Sequence, residues 1–239
     1  AQTAIDNGVP VTDLSAPTGG QLAFVIDVPE GSHELLVQTS GGTGDSDMFI
    51  RQGQPPTFED FDCASFTFGN EDACLIESPA AGEWFILLDA WTAFDGLLLM
   101  ASFDDQPAQI TPLEADVDLP VAGPAGSISW FSVEVPEGAA EVVIEIFPEE
   151  GTTGDGDLFV RFGERPLPNG TDWDCRPFLF GSEEDCVLTD PEAGTWYVGV
   201  HAWPEAGELA NVRIVASGDL DTEPPAIPGN LVVTLSGAR

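Results

Sequence analysis

Two aspartate pairs are the residues of this chain whose type and spacing best suit metal binding. Each pair has the form Asp-x-Asp and directly precedes a short apolar run; the four residues are Asp45, Asp47, Asp155 and Asp157. Side chains alternate along a strand, so both carboxylates of a pair project from one face. Carboxylate oxygens suit Ca²⁺. The sequence leaves two interpretations: calcium sites, or aspartates that cap turns or pair with Arg51 and Arg161.

Four cysteines form two pairs with the same internal spacing. Cys63 and Cys74 are eleven residues apart, as are Cys175 and Cys186. Zinc sites favour closely spaced Cys and His residues, and neither histidine lies at a matching position. The spacing therefore predicts the disulfides Cys63–Cys74 and Cys175–Cys186. Disulfides are typical of proteins outside a reducing cytosol, which predicts an extracellular protein, either secreted or on the cell surface.

Aromatic side chains give a third candidate site. Strand alternation places six of them on the face opposite the expected core: Phe49, Phe85, Trp91, Phe159, Tyr197 and Trp203. In one interpretation these rings form an exposed platform that binds a ligand. In the other, the disulfide loops cover them with four further rings: Phe66, Phe68, Phe178 and Phe180.

Catalytic motifs are missing from the sequence. The two histidines, His33 and His201, have no matching partner motif, and HExxH, P-loop and GxSxG patterns do not occur. Acidic residues are too abundant for any pair of them to indicate acid–base chemistry. We therefore expect no enzymatic activity and no organic cofactor, with Ca²⁺ as the candidate ion.

The charge of the chain excludes several classes of partner. The sequence has 42 acidic residues against six Lys and Arg, and its net charge is −36. A phosphate backbone would be repelled, so nucleic acid is excluded. No apolar run approaches the roughly 20 residues of a membrane-spanning helix, so membrane insertion is not expected. The charge itself fits either divalent-cation binding or solubility in saline surroundings.

The elements that position these residues occur twice. The block from Gly44 to Arg51 returns from Gly154 to Arg161, and Trp84 returns as Trp196 at an offset of 112. A period near 110 residues is about one small domain, so it indicates a tandem duplication. The predicted boundaries are 1–107 for the first repeat, 108–219 for the second and 220–239 for a Pro-rich linker with an isolated strand.

Short apolar segments separated by turn signals predict an all-β fold. In the first repeat the segments 22–28 and 34–38 flank Pro-Glu-Gly, and the strands 83–90 and 97–103 follow later. Glycine and proline together number 46, and no segment keeps a helical spacing of apolar residues. Several short strands at this spacing are typical of a β-sandwich.

The C-terminal segment has a separate character. Residues 219–229 are acidic and Pro-rich, and they precede a strand-like run whose candidate assembly residues are Leu231, Val232, Val233 and Leu235. The sequence of this segment resembles the start of a fibronectin type III domain. The run either begins a further domain or adds to the sheet edge of a neighbouring copy by β-strand addition.

The combined motif resembles the bacterial pre-peptidase C-terminal (PPC) domain. The resemblance rests on the order Gly-Asp-x-Asp-Leu-Phe-Val-Arg, Asp-Cys-x-Pro-x-x-x-Gly-x-x-Glu-x-Cys and Pro-x-x-Gly-x-Trp-Tyr-Val, and covers about 1–104 and 113–217. The first repeat departs from it at Ala64 and Ser65. The resemblance implies two tandem jelly-roll-like β-sandwiches that accompany secreted enzymes, are related to collagen-binding domains of collagenases, and in some members bind calcium or insoluble protein.

Two functions follow from these features. The first is a non-catalytic accessory module of a secreted or cell-surface bacterial protein, which anchors or presents a hydrolase or binds an insoluble protein substrate. Its partners would be an extracellular protein substrate or an attached catalytic domain. The alternative is a structural subunit of a self-assembling filament or surface layer, whose partners are other copies of the same chain.

Overall fold

The computed structural model describes residues 2–168 and 172–220. Within these residues the chain is built from β-strands, with one short 3₁₀ turn at Pro204–Ala206, so the predicted all-β fold is confirmed. The predicted assembly residues Leu231, Val232, Val233 and Leu235 lie outside the described residues.

The first repeat contains eight strands, which form the two layers of a β-sandwich. They are β1 (Thr3–Ala4), β2 (Val11–Ala16), β3 (Gln21–Val28), β4 (Glu34–Ser40), β5 (Thr43–Gln52), β6 (Cys63–Ser65), β7 (Ala73–Glu77) and β8 (Gly82–Asp104). The first half of β8 pairs with β3 and β5, and its second half pairs with β2 and β4. One long bent strand therefore belongs to both layers.

The second repeat has the same strand order in two separate sheets. Its strands are β9 (Ile110–Pro112), β10 (Leu119–Gly123), β11 (Ile128–Val135), β12 (Glu141–Thr153), β13 (Gly156–Phe162), β14 (Glu184–Thr189), β15 (Gly194–Ala202) and β16 (Leu209–Gly218). One sheet has the order β10-β16-β12-β14 and the other β13-β15-β11-β9. Strand β9 runs parallel to β11, as β1 does to β3.

The structure corrects one boundary in the first repeat. The predicted strands 83–90 and 97–103 are a single strand, because the residues between them stay paired: Thr92 lies opposite Asp45 and Phe94 opposite Ala16. In the second repeat the corresponding strand is interrupted at Pro204, which begins the 3₁₀ turn. A proline ring fixes φ and removes the N–H that a continuing strand needs.

Each sandwich encloses its own hydrophobic core. As strand alternation predicts, Trp84, Ile86 and Leu88 are buried in the first core, and Trp196 and Val198 in the second. The two tryptophans are fixed in the same way, since each indole N–H donates to a backbone carbonyl 2.9 Å away. The domain boundaries themselves stay predictions from the sequence.

Both predicted disulfides are confirmed. Cys63 is bonded to Cys74 and Cys175 to Cys186, each across eleven residues. Cys74 and Cys186 are fully buried on β7 and β14 and belong to the two cores. Each bond therefore anchors the loop between its cysteines to the interior.

Candidate functional site

A glycine with positive φ before each aspartate pair sets its position. Gly44 has φ of +100°, and a Cβ atom there would lie 2.1 Å from the carbonyl oxygen of Ala93. Gly154 has φ of +76°, and its Cβ would lie 2.6 Å from the carbonyl oxygen of Glu208. Only glycine combines this backbone conformation with so close an approach. The first residue of the repeated Gly-Asp-x-Asp motif thus lets the chain pass close to the backbone of a neighbouring segment.

The first aspartate pair is crowded with other carboxylates. Asp45 is buried, and its Oδ1 accepts a hydrogen bond of 3.2 Å from the backbone N–H of Gly69. Asp47 is half-buried and lies opposite Asp89 in the β5–β8 ladder. Burial, with Asp45 and Asp89 nearby, raises the pKa of Asp47 above its ordinary value. The pair therefore anchors the disulfide loop and concentrates negative charge.

The second aspartate pair is more deeply enclosed. Asp157 is 2% exposed, and its Oδ2 has no hydrogen-bond partner. Burial raises the pKa of its carboxyl group to about 8, with further contributions from Glu184 and Asp155. Oδ1 of Asp155 is also buried without a partner. Two unpartnered buried oxygens make this pair the better candidate for a bound cation.

The structure adds a third acidic position that the sequence analysis missed. Asp72 and Glu184 match at the offset of 112, and each precedes the second cysteine of its repeat by two residues. Asp72 accepts hydrogen bonds from Ser65 and Thr67, yet burial raises its pKa to about 7. Glu184 accepts a 2.7 Å bond from the N–H of Leu158. An acidic residue at the same position of both repeats is the sequence signal that could have identified Asp72 and Glu184 as candidate site residues.

These carboxylates fit a metal ion only in part. The unpartnered oxygens of Asp155 and Asp157 suit a hard cation. Across residues 2–168 and 172–220, however, no three His, Cys, Asp or Glu side chains are arranged to hold a metal. Backbone carbonyls would have to supply the remaining ligands. The suggested pairing with Arg51 and Arg161 is wrong, because these arginines pair with Asp60 and Glu164, at 2.5 and 2.8 Å.

Calcium binding stays a prediction with a direct test. We expect Ca²⁺ at about 100 times its dissociation constant to raise the free energy of unfolding by about 2.7 kcal/mol per site, measured by thermal melting. Asp47→Asn combined with Asp157→Asn should remove this increment. Sodium chloride at matched ionic strength is the control, because screening of the −36 charge also stabilises the chain. An equal effect of sodium chloride would contradict the calcium sites.

The prediction that six aromatic residues form an exposed platform is wrong for three of them. Phe49, Phe85 and Phe159 are buried, while Tyr197 and Trp203 are half-buried and Trp91 is 68% exposed. The physical reason is local packing: Phe58, Phe61 and Phe66 surround Phe49 at centroid distances of 5.1 to 5.7 Å. We call Phe49, Phe58, Phe61 and Phe66 the aromatic cluster.

The alternative interpretation predicted that rings of the disulfide loops cover the platform, but these loop rings are themselves exposed. Phe66 covers Phe49, but 56% of its own surface remains open. Phe68 and Phe180, at matching positions in the two disulfide loops, are 99% and 104% exposed. Phe58 is 57% exposed. The loops therefore present aromatic surface to the outside in both repeats.

Polar side chains connect the two repeats. Nε2 of the buried His201 lies 2.7 Å from Oε1 of Gln38, whose amide N–H₂ donates to the carbonyl of Gly126. Burial lowers the pKa of His201 to about 3, so the ring is neutral. Arg165 pairs with Glu34 at 2.5 Å and also with Glu77. Arg176 of the second repeat lies 3.2 Å from Glu71 of the first.

Histidine 201 is thus a structural residue of the contact between the repeats. It is 2% exposed, so a substrate cannot reach it. His33 lies on the surface, within the other repeat. Within the described part of the chain, no helix is long and apolar enough to span a membrane.

Comparisons with known proteins agree with the duplicated motif. Residues 22–90 and 128–202 match the family "Bacterial pre-peptidase C-terminal domain", which accounts for more than half of the chain. A solved structure described as "Solution structure of vEP C-ter 100" has 23% identity and covers 41% of this chain and 96% of its own, with a TM-score of 0.36.

Several similar proteins are much longer than this chain. An extracellular protease of Xanthomonas campestris is 42% identical over 99 residues, which are 41% of this chain and 17% of the protease. Alkaline serine exoprotease A of Vibrio alginolyticus is 31% identical over 99 residues, 41% of this chain and 18% of the relative. A microbial collagenase of Vibrio vulnificus is 22% identical over 210 residues, 82% of this chain and 26% of the collagenase. The chain thus spans about a quarter or less of their length.

Proposed function

The chain belongs to the bacterial pre-peptidase C-terminal domain family, and from that membership we propose that it is a non-catalytic extracellular accessory module. It holds an attached hydrolase on an insoluble protein substrate. The similar proteases and the collagenase support this proposal, because the regions they share with the chain are a small part of each enzyme. The disulfides support an extracellular location.

The observation that carries the binding role is the exposed aromatic surface on both disulfide loops. Phe68 and Phe180 are almost fully exposed at equivalent positions, and the covalent bonds hold both loops against the cores. Aromatic side chains contribute much of the energy at protein interfaces. Two such surfaces on one chain allow simultaneous contact with a particle, which increases the apparent affinity without tight binding at either site.

Co-sedimentation tests this proposal. The purified chain is mixed with particles of insoluble collagen, elastin or cellulose, and the bound fraction is measured after centrifugation. We expect binding to at least one protein particle and none to cellulose, with no release of peptides from the particle. Phe68→Ala with Phe180→Ala should lower binding at least fivefold, while Val187→Ala, at another exposed apolar residue, leaves it unchanged. Binding to cellulose alone, or to none of the particles, contradicts the proposal.

The alternative of a self-assembling subunit depends on Leu231, Val232, Val233 and Leu235, which lie outside the described residues. Among the described residues nothing specific favours it.

A further inference from the structure

The second repeat contains an arginine bound between aromatic rings. The guanidinium of Arg176 lies 3.6 Å from the ring centroid of Phe178 and 5.1 Å from that of Phe159. Its side chain is 8% exposed and pairs with Glu71 of the first repeat at 3.2 Å. A cation over a ring face is attracted by the π electrons, most strongly when water is excluded. The fold thus uses this position to bind a guanidinium group.

The first repeat has the same rings without the arginine. Phe49 and Phe66 occupy the positions of Phe159 and Phe178, and Ala64 stands where the second repeat has Arg176. Ala64 is the direct partner of Phe49 in the β5–β6 ladder, so the two side chains share a face. Position 64 therefore holds no cation. Arg51, two residues after Phe49 on β5, shares the face but is paired with Asp60 at 2.5 Å.

Two further rings enlarge the surface in the first repeat. Phe58 and Phe61 pack edge-on against Phe49, at centroid distances of 5.1 and 5.7 Å. Phe61 also contacts Phe66, at 6.3 Å. These three outer rings are 57%, 39% and 56% exposed for Phe58, Phe61 and Phe66. Three partly exposed rings therefore surround one buried ring.

The surroundings of this surface are strongly acidic. Asp47 lies two residues before Phe49 on β5, so it shares the face of that ring, and it lies opposite Asp89. Glu59 and Asp62 are exposed beside Phe58 and Phe61 in the chain. Burial raises the pKa of Asp47, and the neighbouring Asp45 and Asp89 raise it further, so negative charge is concentrated beside the aromatic cluster.

We propose that the aromatic cluster of the first repeat binds arginine side chains of a protein partner. This inference rests on the proposed function and identifies the chemistry that the module recognises on an insoluble protein. The guanidinium stacks on the open faces of Phe58, Phe61 and Phe66, as Arg176 stacks on Phe178, while neighbouring carboxylates neutralise its charge. Arginine is favoured over lysine because its flat guanidinium stacks on rings and is more weakly hydrated than an ammonium group.

The arginines of this chain are poor candidates for the same role in a second copy. Each described arginine is already paired with a carboxylate of its own chain: Arg51, Arg161, Arg165, Arg176 and Arg213. Two molecules of charge −36 also repel each other. A separate, arginine-bearing protein is therefore the occupant that the charges favour.

Three synthetic peptides test the proposal on the full chain. They share one Gly-Ser backbone with four variable positions, filled by arginine, lysine or citrulline, which has nearly the shape of arginine but no charge. Affinities are measured by fluorescence anisotropy at physiological ionic strength. We expect the arginine peptide to bind at least fivefold more tightly than the lysine peptide, and the citrulline peptide not to bind. Equal affinities for the arginine and lysine peptides would overturn the proposal.

Two variants locate the binding without altering the acidic residues. Phe58→Ala with Phe66→Ala removes exposed ring surface and should lower the affinity for the arginine peptide at least tenfold. Ala64→Arg places an internal guanidinium where the second repeat has one, and it should lower that affinity to a similar extent. Val187→Ala, at an exposed apolar residue of the other repeat, is the matched control and should leave the affinity unchanged. Melting curves check that each variant is folded.

The results separate this inference from the proposed function. In one outcome the original chain and both cluster variants bind insoluble protein equally well, and they also bind the arginine peptide equally well. The arginine site is then wrong and the accessory role stands. If the cluster variants lose the arginine peptide while no protein particle is bound by any form of the chain, the site is real and the accessory role is wrong.

Discussion

Replacing both Cys175 and Cys186 by alanine lowers the free energy of unfolding of the second repeat by about 3 kcal/mol. The bond closes a loop across eleven residues, and opening it restores conformational entropy to the unfolded chain. The effect extends to the loop itself. Ser182 and Glu184 lie between the cysteines and accept hydrogen bonds from the backbone N–H groups of Gly156 and Leu158, so these contacts to β13 are also weakened. Urea unfolding monitored by tryptophan fluorescence measures the loss.

The first repeat provides the matched comparison. Cys63→Ala with Cys74→Ala opens a loop of equal length, so we expect a loss of similar size. The two loops also contact each other, because Arg176 in the second loop pairs with Glu71 in the first. We therefore expect either double variant to loosen this contact between the repeats. Stability unchanged in both double variants would show that the bonds do not constrain the unfolded chain.

Raising the pH from 6.5 to 8 destabilises the protein by about 2 kcal/mol through Asp157. Its pKa is about 8 in the folded chain against an ordinary value of 3.8, so between these values only the folded state holds the proton. Stability present below pH 4 is therefore lost as the pH rises towards 8, by about 1.4 kcal/mol per pH unit. Asp72, whose pKa is raised to about 7, contributes in the same direction.

The chosen pH window isolates the carboxyl groups from His201. The pKa of that buried ring is lowered to about 3 from 6.5, so its contribution has the opposite sign and is lost as the pH falls below 6.5. Above pH 6.5 less than half of the imidazole is protonated in the unfolded chain, so this contribution changes by only about 0.4 kcal/mol between pH 6.5 and 8. Asp157→Asn should remove most of the destabilisation between pH 6.5 and 8, measured by urea unfolding in the presence of a chelator. Asp185→Asn, at an exposed carboxylate, is the control and should keep it. Equal pH dependence in both variants would mean that Asp157 is ionised in the folded chain.

Local sequence patterns were sufficient to predict much of the architecture. Strand alternation identified the buried faces around Trp84 and Trp196, and the duplicated cysteine spacing gave both disulfides. These predictions succeed because side-chain direction in a strand depends only on position, and because short loops bring their ends together. The continuous strand β8 was missed, since pairing of Thr92 and Phe94 with other strands is not visible in the local sequence.

The candidate sites show where local patterns stop being informative. Alternation placed Phe49 and Phe159 on the correct face of their strands, but it could not say what covers that face. Phe58, Phe61 and Phe66 pack against Phe49, whereas Arg176 and His201 lie against Phe159. Exposure depends on contacts between distant segments, so two equivalent phenylalanines have different surroundings.

The amino-acid sequence by itself determined the family, the all-β fold and the two disulfides, because motifs, periodicity and cysteine spacing are properties of neighbouring residues. Only the tertiary structure decided which charges and rings are enclosed. It placed His201 against Gln38, left Oδ2 of Asp157 without a partner and put Arg176 between two rings. Burial and electrostatic environment arise from packing across the chain, and no local sequence pattern specifies them.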